Sequence, residues 1–155
     1  MKLSSIFDIQ KPKTTVKNHF EDDRSGINFV SSGEKNNGVS GKVKKNTEYP
    51  IYPPGVITVP LKGTVLHACL QHDYFYCAHQ IAILTPKKKY KDINDRQKLF
   101  YVLAIRHNKY KFNYNRQADR PLGEIELPDP SDIPKWIYNN NNIISQIKRL
   151  EKFLC

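Results

Sequence analysis

The sequence predicts an α+β fold, a twisted and mainly antiparallel sheet with one packed helix and a further helix at the C-terminus. Three observations predict it. Segments 56–61 (VITVPL), 64–70 (TVLHACL) and 74–85 (YFYCAHQIAILT) are short runs rich in β-branched and aromatic residues, separated by turn signals, as strands are. In RQKLFYVLAIRHNKY (96–110), Leu99, Phe100 and Leu103 fall at helical spacing, with Tyr101 and Ile105 less squarely on the same face. Near the end, Ile143, Ile147, Leu150 and Leu154 recur at intervals of four, three and four, a coiled-coil-like seam. An amphipathic helix beside strands of this kind must bury its apolar stripe on the sheet, which gives the fold class.

The elements follow in order. Residues 1–10 carry Leu3, Ile6, Phe7 and Ile9, a set that suits a helical turn or a short strand equally. Residues 11–26 are polar and charged and read as an exposed loop. INFVSS (27–32) reads as a strand. GEKNNGVSG (33–41), with three glycines and two asparagines, reads as a long loop. YPIYPPG (49–55) holds three prolines, whose fixed φ and missing N–H make it an extended connector. VITVPL, the Lys62-Gly63 turn, TVLHACL, a reversal at 71–73 and YFYCAHQIAILT then form a three-stranded meander. PKKKYKDIND (86–95) is a polar break, and Asp95 is the expected N-cap of the helix. A loop follows with a short strand at EIEL (124–127). Four asparagines at 139–142 favour a cap or turn before the final helix. The expected division is a domain over 1–130 and a helical segment over 131–155.

The chain has 25 Lys and Arg against 15 Asp and Glu, a formal charge of +10, and a surplus of that size on a small domain favours a polyanionic partner. No apolar stretch approaches the roughly 20 residues of a membrane span, and the N-terminus has no continuous apolar region for secretion, so the expected location is cytoplasmic. Three cysteines (Cys69, Cys77, Cys155) do not make a disulfide framework. P-loop, dinucleotide-binding and H-E-x-x-H patterns are absent and the acids are scattered, so the expectation is a non-catalytic chain without a cofactor.

HACLQHDYFYCAH (67–79) gathers three histidines and two cysteines. In a hairpin with a two-residue loop, His67, Cys69, Cys77 and His79 fall on different faces; with a three-residue loop all four share one. The cysteines read as small hydrophobes and no metal is expected. Two other segments suit nucleic acid. SSGEKNNGVSG offers Ser31, Ser32, Lys35, Asn36 and Asn37, donors that hold phosphates or read base edges. NKYKFNYNRQADR (108–120) interleaves Lys109, Lys111 and Arg116 with Tyr110 and Tyr114, cations for phosphates and rings for stacking.

Taken together, INFVSSGEKNNGVSG, YPPGVITVPLKGTVLHACLQHDYFYCAHQIAILTP and NKYKFNYNRQADRPLGEIELPDP resemble the target recognition domain of type I restriction-modification specificity subunits. The related domains of fused restriction-methylation enzymes are similar. The likeness lies in the order and spacing of the NNG-SG loop, the G-V-I-T-V strand with its glycine turn, the aromatic segment, the Y-x-F-x-Y-x-R-x-A block and I-x-L-P. Asn115 stands where the family commonly has glycine, and ADRPLGEI replaces its usual N-x-x-R-L step. The resemblance implies sequence-specific binding of double-stranded DNA without catalysis, beside a DNA methyltransferase subunit, with or without a restriction subunit. Reading of bases is expected from the NNG loop, Lys62, His67, Gln71 and His79, and backbone holding from Lys109, Lys111, Tyr114 and Arg116. A full specificity subunit has two such domains joined by long paired helices. The chain then corresponds to a half-subunit that forms a homodimer through its C-terminal helix, or to one domain of a longer polypeptide. The rivals are a zinc-stabilised RNA- or single-strand-binding module and an antirestriction-type interaction protein.

Overall fold

Both alternatives for the first ten residues are realised in succession: Leu3–Ile6 make one helical turn (α1) and Phe7–Gln10 continue into strand β1. The computed structural model describes residues 1–12, 16–111 and 122–139. The remaining strands are β2 (Asp22–Val30), β3 (Val39–Val43), β4 (Ile57–Pro60), β5 (Cys69–Leu70), β6 (Phe75–Cys77) and β7 (Ile81–Pro86), and helices α2 (Asp95–His107) and α3 (Trp136–Asn139) follow. The α+β class is as expected.

The strands divide between two sheets. One has the order β1-β7-β4-β5 and is antiparallel throughout; the other has the order β3-β2-β6, antiparallel between β2 and β3 and parallel between β2 and β6. Side-chain alternation then builds layers. Ile57, Val59, Ala82 and Leu84 face α2, whose Phe100, Tyr101, Ala104 and Ile105 complete the main core. Ile81 and Ile83, on the opposite face of β7, meet Val30, Tyr52, Phe75 and Cys77 at the seam between the sheets. Phe29 and Tyr76 point to the far side of the second sheet, under Phe20 and Tyr49. The first sheet is covered on both faces, which is why β4 and the start of β7 are continuously buried, Thr58 being the one polar residue among them.

This arrangement corrects the expected meander. Segment 67–79 is not a hairpin: β5 pairs with β4, whereas β6 crosses to the other sheet and runs parallel to β2, with Asn28 opposite Phe75 and Val30 opposite Cys77. The crossing buries Phe75, Tyr76 and Cys77, each at most 2% exposed, between layers that a β5 hairpin could not reach. Residues 11–26 are likewise not all loop, since β2 begins at Asp22, and the predicted loop 33–41 yields its last three residues to β3.

The helix is capped one residue earlier than expected. Asn94 accepts from the Gln97 backbone N–H at 2.9 Å, and the Gln97 side chain accepts from Asn94 N–H at 2.8 Å, a reciprocal capping box. Its buried face is also turned: Phe100, Tyr101, Val102, Ala104 and Ile105 are buried, while Leu99 and Leu103 are only partly so. The cause is a second cover, formed by Leu122, Ile125, Leu127, Ile133 and Ile137, with the Tyr101 hydroxyl donating to Pro128 O at 2.8 Å. The expected EIEL strand is reduced to a single bridge between Lys2 and Glu126. The Ile143 to Leu154 seam lies outside the described residues. Among the described residues no helix is long and apolar enough to cross a membrane.

Candidate nucleic-acid interface

Strand direction assembles the site. β2 and β6 run parallel and end together at Val30 and Cys77; β4 ends where β7 begins, Pro60 opposite Ile81; and β5 pairs with the first half of β4, Cys69 opposite Thr58, so that the segment between Pro60 and Cys69 lies at the same edge. Backbone bonds from Ala78 N–H to Val30 O (3.0 Å) and from Leu61 N–H to Gln80 O (2.9 Å) extend the β2/β6 and β4/β7 pairs past their ends, and the chain passes from one sheet to the other between them at residues 78–80, with Ile81 N–H donating to Ala78 O at 3.3 Å. The loops that carry Ser31 to Asn37, Lys62 to His67 and His79 therefore emerge side by side.

The first of these, residues 31–38, is closed by Ser31 N–H to Gly38 O at 2.9 Å. Asn36, Asn37 and Gly38 are consecutively left-handed, with φ of 52°, 57° and 80°. Asparagine tolerates that region and glycine enters it freely, so the NNG triplet is a backbone requirement of the turn. Asn37 Nδ2 donates to Leu70 O at 2.7 Å, covering the open edge of β5. Gln71 Nε2 donates to Asn37 O and to Thr58 Oγ1, each at 3.0 Å, and Gln71 is only 2% exposed. Gln71 and the Asn37 amide thus hold the loop from beneath, while Lys35 and Asn36 are exposed on its outer side.

The second loop, residues 61–68, is pressed against the first. The Thr64 hydroxyl donates to Ser32 O. Gly63 has φ of 71°, and a Cβ there would come within 2.8 Å of Ser32 Oγ and 3.2 Å of its Cβ. Leu66 is left-handed as well, at φ 61°, and fully buried. Such a residue costs about 1–3 kcal/mol and persists only where its surroundings over-determine it. Here its side chain is locked in the core and its N–H donates to Pro60 O at 3.0 Å. Lys62 is exposed and His67 half-buried at the surface of this loop.

The end of α2 supplies a third component. Arg106 Nε donates to Ala68 O at 2.7 Å, and its Nη2 lies 3.7 Å from Cys69 Sγ. Lys109 follows in the turn Asn108–Lys111 and is exposed. His67 takes up a proton less readily than usual, through burial first and then the positive charge of Arg106; Glu34 opposes the shift and Lys109 adds to it.

The structure thus brings together Ser31, Ser32, Lys35, Asn36, Asn37, Lys62, His67, His79 and Lys109, and places Gln71 beneath them. Tyr110 and Lys111 belong by backbone to the turn after α2. Tyr114 and Arg116 lie outside the described residues. Sequence reasoning missed Arg106 and Thr64. Arg106 reads there as an ordinary last-turn cation, and nothing local to it signals a carbonyl nearly forty residues upstream.

The crossing of β6 divides His67 and Cys69 from Cys77 and His79. Burial raises the thiol pKa of both Cys69 and Cys77, most strongly for Cys77 in the seam between the sheets, which disfavours the thiolate a metal needs. Among the described residues no three His, Cys, Asp or Glu are grouped as metal ligands.

The His67 shift carries a pH prediction. Its folded pKa is depressed below the unfolded value near ~6.5, so its contribution to stability is present above that pH and is lost as pH falls through the folded value. An anion bound beside it would favour the protonated imidazole and oppose this shift. NMR titration of the free protein is expected to give a His67 midpoint below that of a denatured reference. A midpoint at or above the reference contradicts the burial argument.

Residues 1–130 match the sequence model of the type I restriction modification DNA specificity domain. No match was found among curated proteins. Among solved structures, the chain is similar to the HsdS subunit from Thermoanaerobacter tengcongensis, with TM-score 0.66 and 12% identity over 100% of this chain and 39% of that one. It is also similar to the S subunit of a type I restriction-modification system from M. genitalium, with TM-score 0.63 and 14% identity over 99% of this chain and 41% of that one. A third similar structure comes from work on complex assembly and conformational transition of the type I R-M system, with TM-score 0.67 and 13% identity over 99% of this chain and 40% of that one. At these identities the structural likeness is one of fold, and the chain spans about two fifths of the length of each.

Proposed function

The chain belongs to the type I restriction-modification DNA specificity domain family, and from that premise we propose that it binds a specific double-stranded DNA sequence and positions a partner DNA methyltransferase on it, alone or with a restriction subunit. The observation that carries this reading is the convergence of the loop after β2, residues 61–68 and the end of α2 at one edge, in a chain of charge +10. Exposed Lys35, Asn36 and Lys62, with Ser31, Ser32, His67 and His79, form the reading surface. Lys109, Lys111, Tyr114 and Arg116 hold the backbone, with Tyr110 beside them. Asn37 and Gln71 serve by fixing the loop. The domain supplies recognition and no chemistry. The 131–155 segment, through the Ile143, Ile147, Leu150 and Leu154 seam, serves as a dimerisation or partner helix.

Two substitutions test the assignment of roles by titration on specific and random duplexes across a salt series. Arg116→Ala is expected to weaken binding to all sequences alike and lower the salt slope by about 1, whereas Asn36→Ala is expected to relax preference at one base pair, by about 1–3 kcal/mol. Equal binding by Arg116→Ala and the parent at every salt concentration contradicts the backbone role.

A further inference from the structure

We propose that Arg106, with His67 and Lys109, forms a site for a single DNA phosphate at the end of α2; this rests on the DNA-binding reading above and adds to it a residue and a point of contact. A basic residue in the last turn of a helix commonly serves the helix dipole or the free carbonyls. Arg106 does something else. Its Nε donates at 2.7 Å to Ala68 O, on another element, and Asn108 Nδ2 takes the Ala104 carbonyl at 2.8 Å in its place. The guanidinium is thereby fixed in orientation beneath residues 61–68. Apart from the 3.7 Å approach of Nη2 to Cys69 Sγ, the rest of its fork has no partner among the described residues.

A planar, oriented guanidinium with N–H groups to spare is suited to a phosphate oxygen pair. Its surroundings add charge of the right sign. Ala68 adjoins His67, whose imidazole experiences the positive charge of both Arg106 and Lys109, with Glu34 the acidic group acting on it from the loop after β2. Gathering cations disfavours the free protein, and a bound phosphate relieves the repulsion. Lys109 stands three residues beyond Arg106 and is exposed, so it can approach the same anion from solvent. The contact also joins backbone holding to reading, because the carbonyl that orients Arg106 belongs to the loop that carries His67.

The test is a salt-dependent titration of the full chain on a duplex selected from a random pool and on random duplexes. Arg106→Gln retains an amide donor for Ala68 O and removes the charge; Lys109→Gln removes the second cation at an exposed position. Each is expected to weaken binding to both duplexes by a similar factor, roughly tenfold for Arg106→Gln, with a salt slope lower by about 1. Because both act on one phosphate, Lys109→Gln is expected to do less in the Arg106→Gln background than alone. Arg106→Lys is expected to keep most of the slope. An unchanged slope in Arg106→Gln, strict additivity of the pair, or loss of sequence preference at constant slope overturns the proposal, the last outcome marking Arg106 as a positioning residue only. If Arg106→Gln does not fold, an unchanged slope in Lys109→Gln overturns it. A parent protein that binds no duplex instead overturns the DNA-binding reading.

Discussion

Phe75→Ala is expected to lower the unfolding free energy by about 3–5 kcal/mol, the usual cost of removing a fully buried aromatic ring from a core. Phe75 is 0% exposed and lies in the seam where Ile81 and Ile83 of the first sheet meet Val30 and Cys77 of the second. Its ring packs on Tyr52 at a centroid separation of 5.5 Å, and its backbone is bonded to Tyr52 in both directions, at 2.9 and 3.1 Å. The cavity falls between two layers that backbone bonds hold in place, so it cannot readily collapse. Phe75→Leu, closer in volume, is expected to cost less, about 1.5 kcal/mol. Urea denaturation measures both, and hydrogen exchange is expected to show β2 and β6 opening first. A loss below ~1 kcal/mol for Phe75→Ala contradicts the seam as the joint between the sheets.

Gly63→Val is expected to separate recognition from general affinity. A β-branched residue at φ 71° carries backbone strain, and its Cβ meets Ser32 at 2.8 Å from Oγ and 3.2 Å from Cβ. The loop must move off Ser32, breaking the Thr64 to Ser32 bond and shifting Lys62 and His67 relative to Asn36. Stability is expected to fall by about 1–2 kcal/mol. The ratio of specific to non-specific binding is expected to fall tenfold or more, as when a base contact worth about 1–3 kcal/mol is misplaced, while the salt slope is kept. Gly63→Ala in a Ser32→Gly background removes the contact and leaves the backbone strain, so partial recovery of the ratio is expected. Full specificity in Gly63→Val contradicts the coupling of the two loops.

What the sequence revealed divides along the range of the interactions. The strands at 57–60 and 81–86, the proline connector and the helix were legible because each is written in local composition and period. The cap was also legible in principle: N-D-R-Q holds Asn94 and Gln97 at capping-box spacing, and two adjacent residues of capping type made the choice of Asp95 an error of one position. The crossing of β6 was not legible, because its parallel pairing with Asn28, Phe29 and Val30 is a contact between distant segments and leaves no mark on FYC beyond alternation. The same limit applies to the site. Lys35, Asn36 and Lys62 were singled out for their chemistry and lie exposed on adjoining loops, but the burial of Gln71 and the reach of Arg106 to Ala68 depend on which loops meet. The NNG triplet was singled out for its donors, and the left-handed backbone of all three residues supplies a further reason for it.

The central claim is that the edge formed by the loop after β2, residues 61–68 and the end of α2 reads a duplex sequence. Selection from a random duplex library by the full chain, with and without a type I methyltransferase subunit, tests it most directly. Enrichment of one short sequence motif, lost in Gly63→Val and retained in Arg106→Lys, is the predicted result. Recovery of a pool with no enriched sequence under both conditions contradicts it.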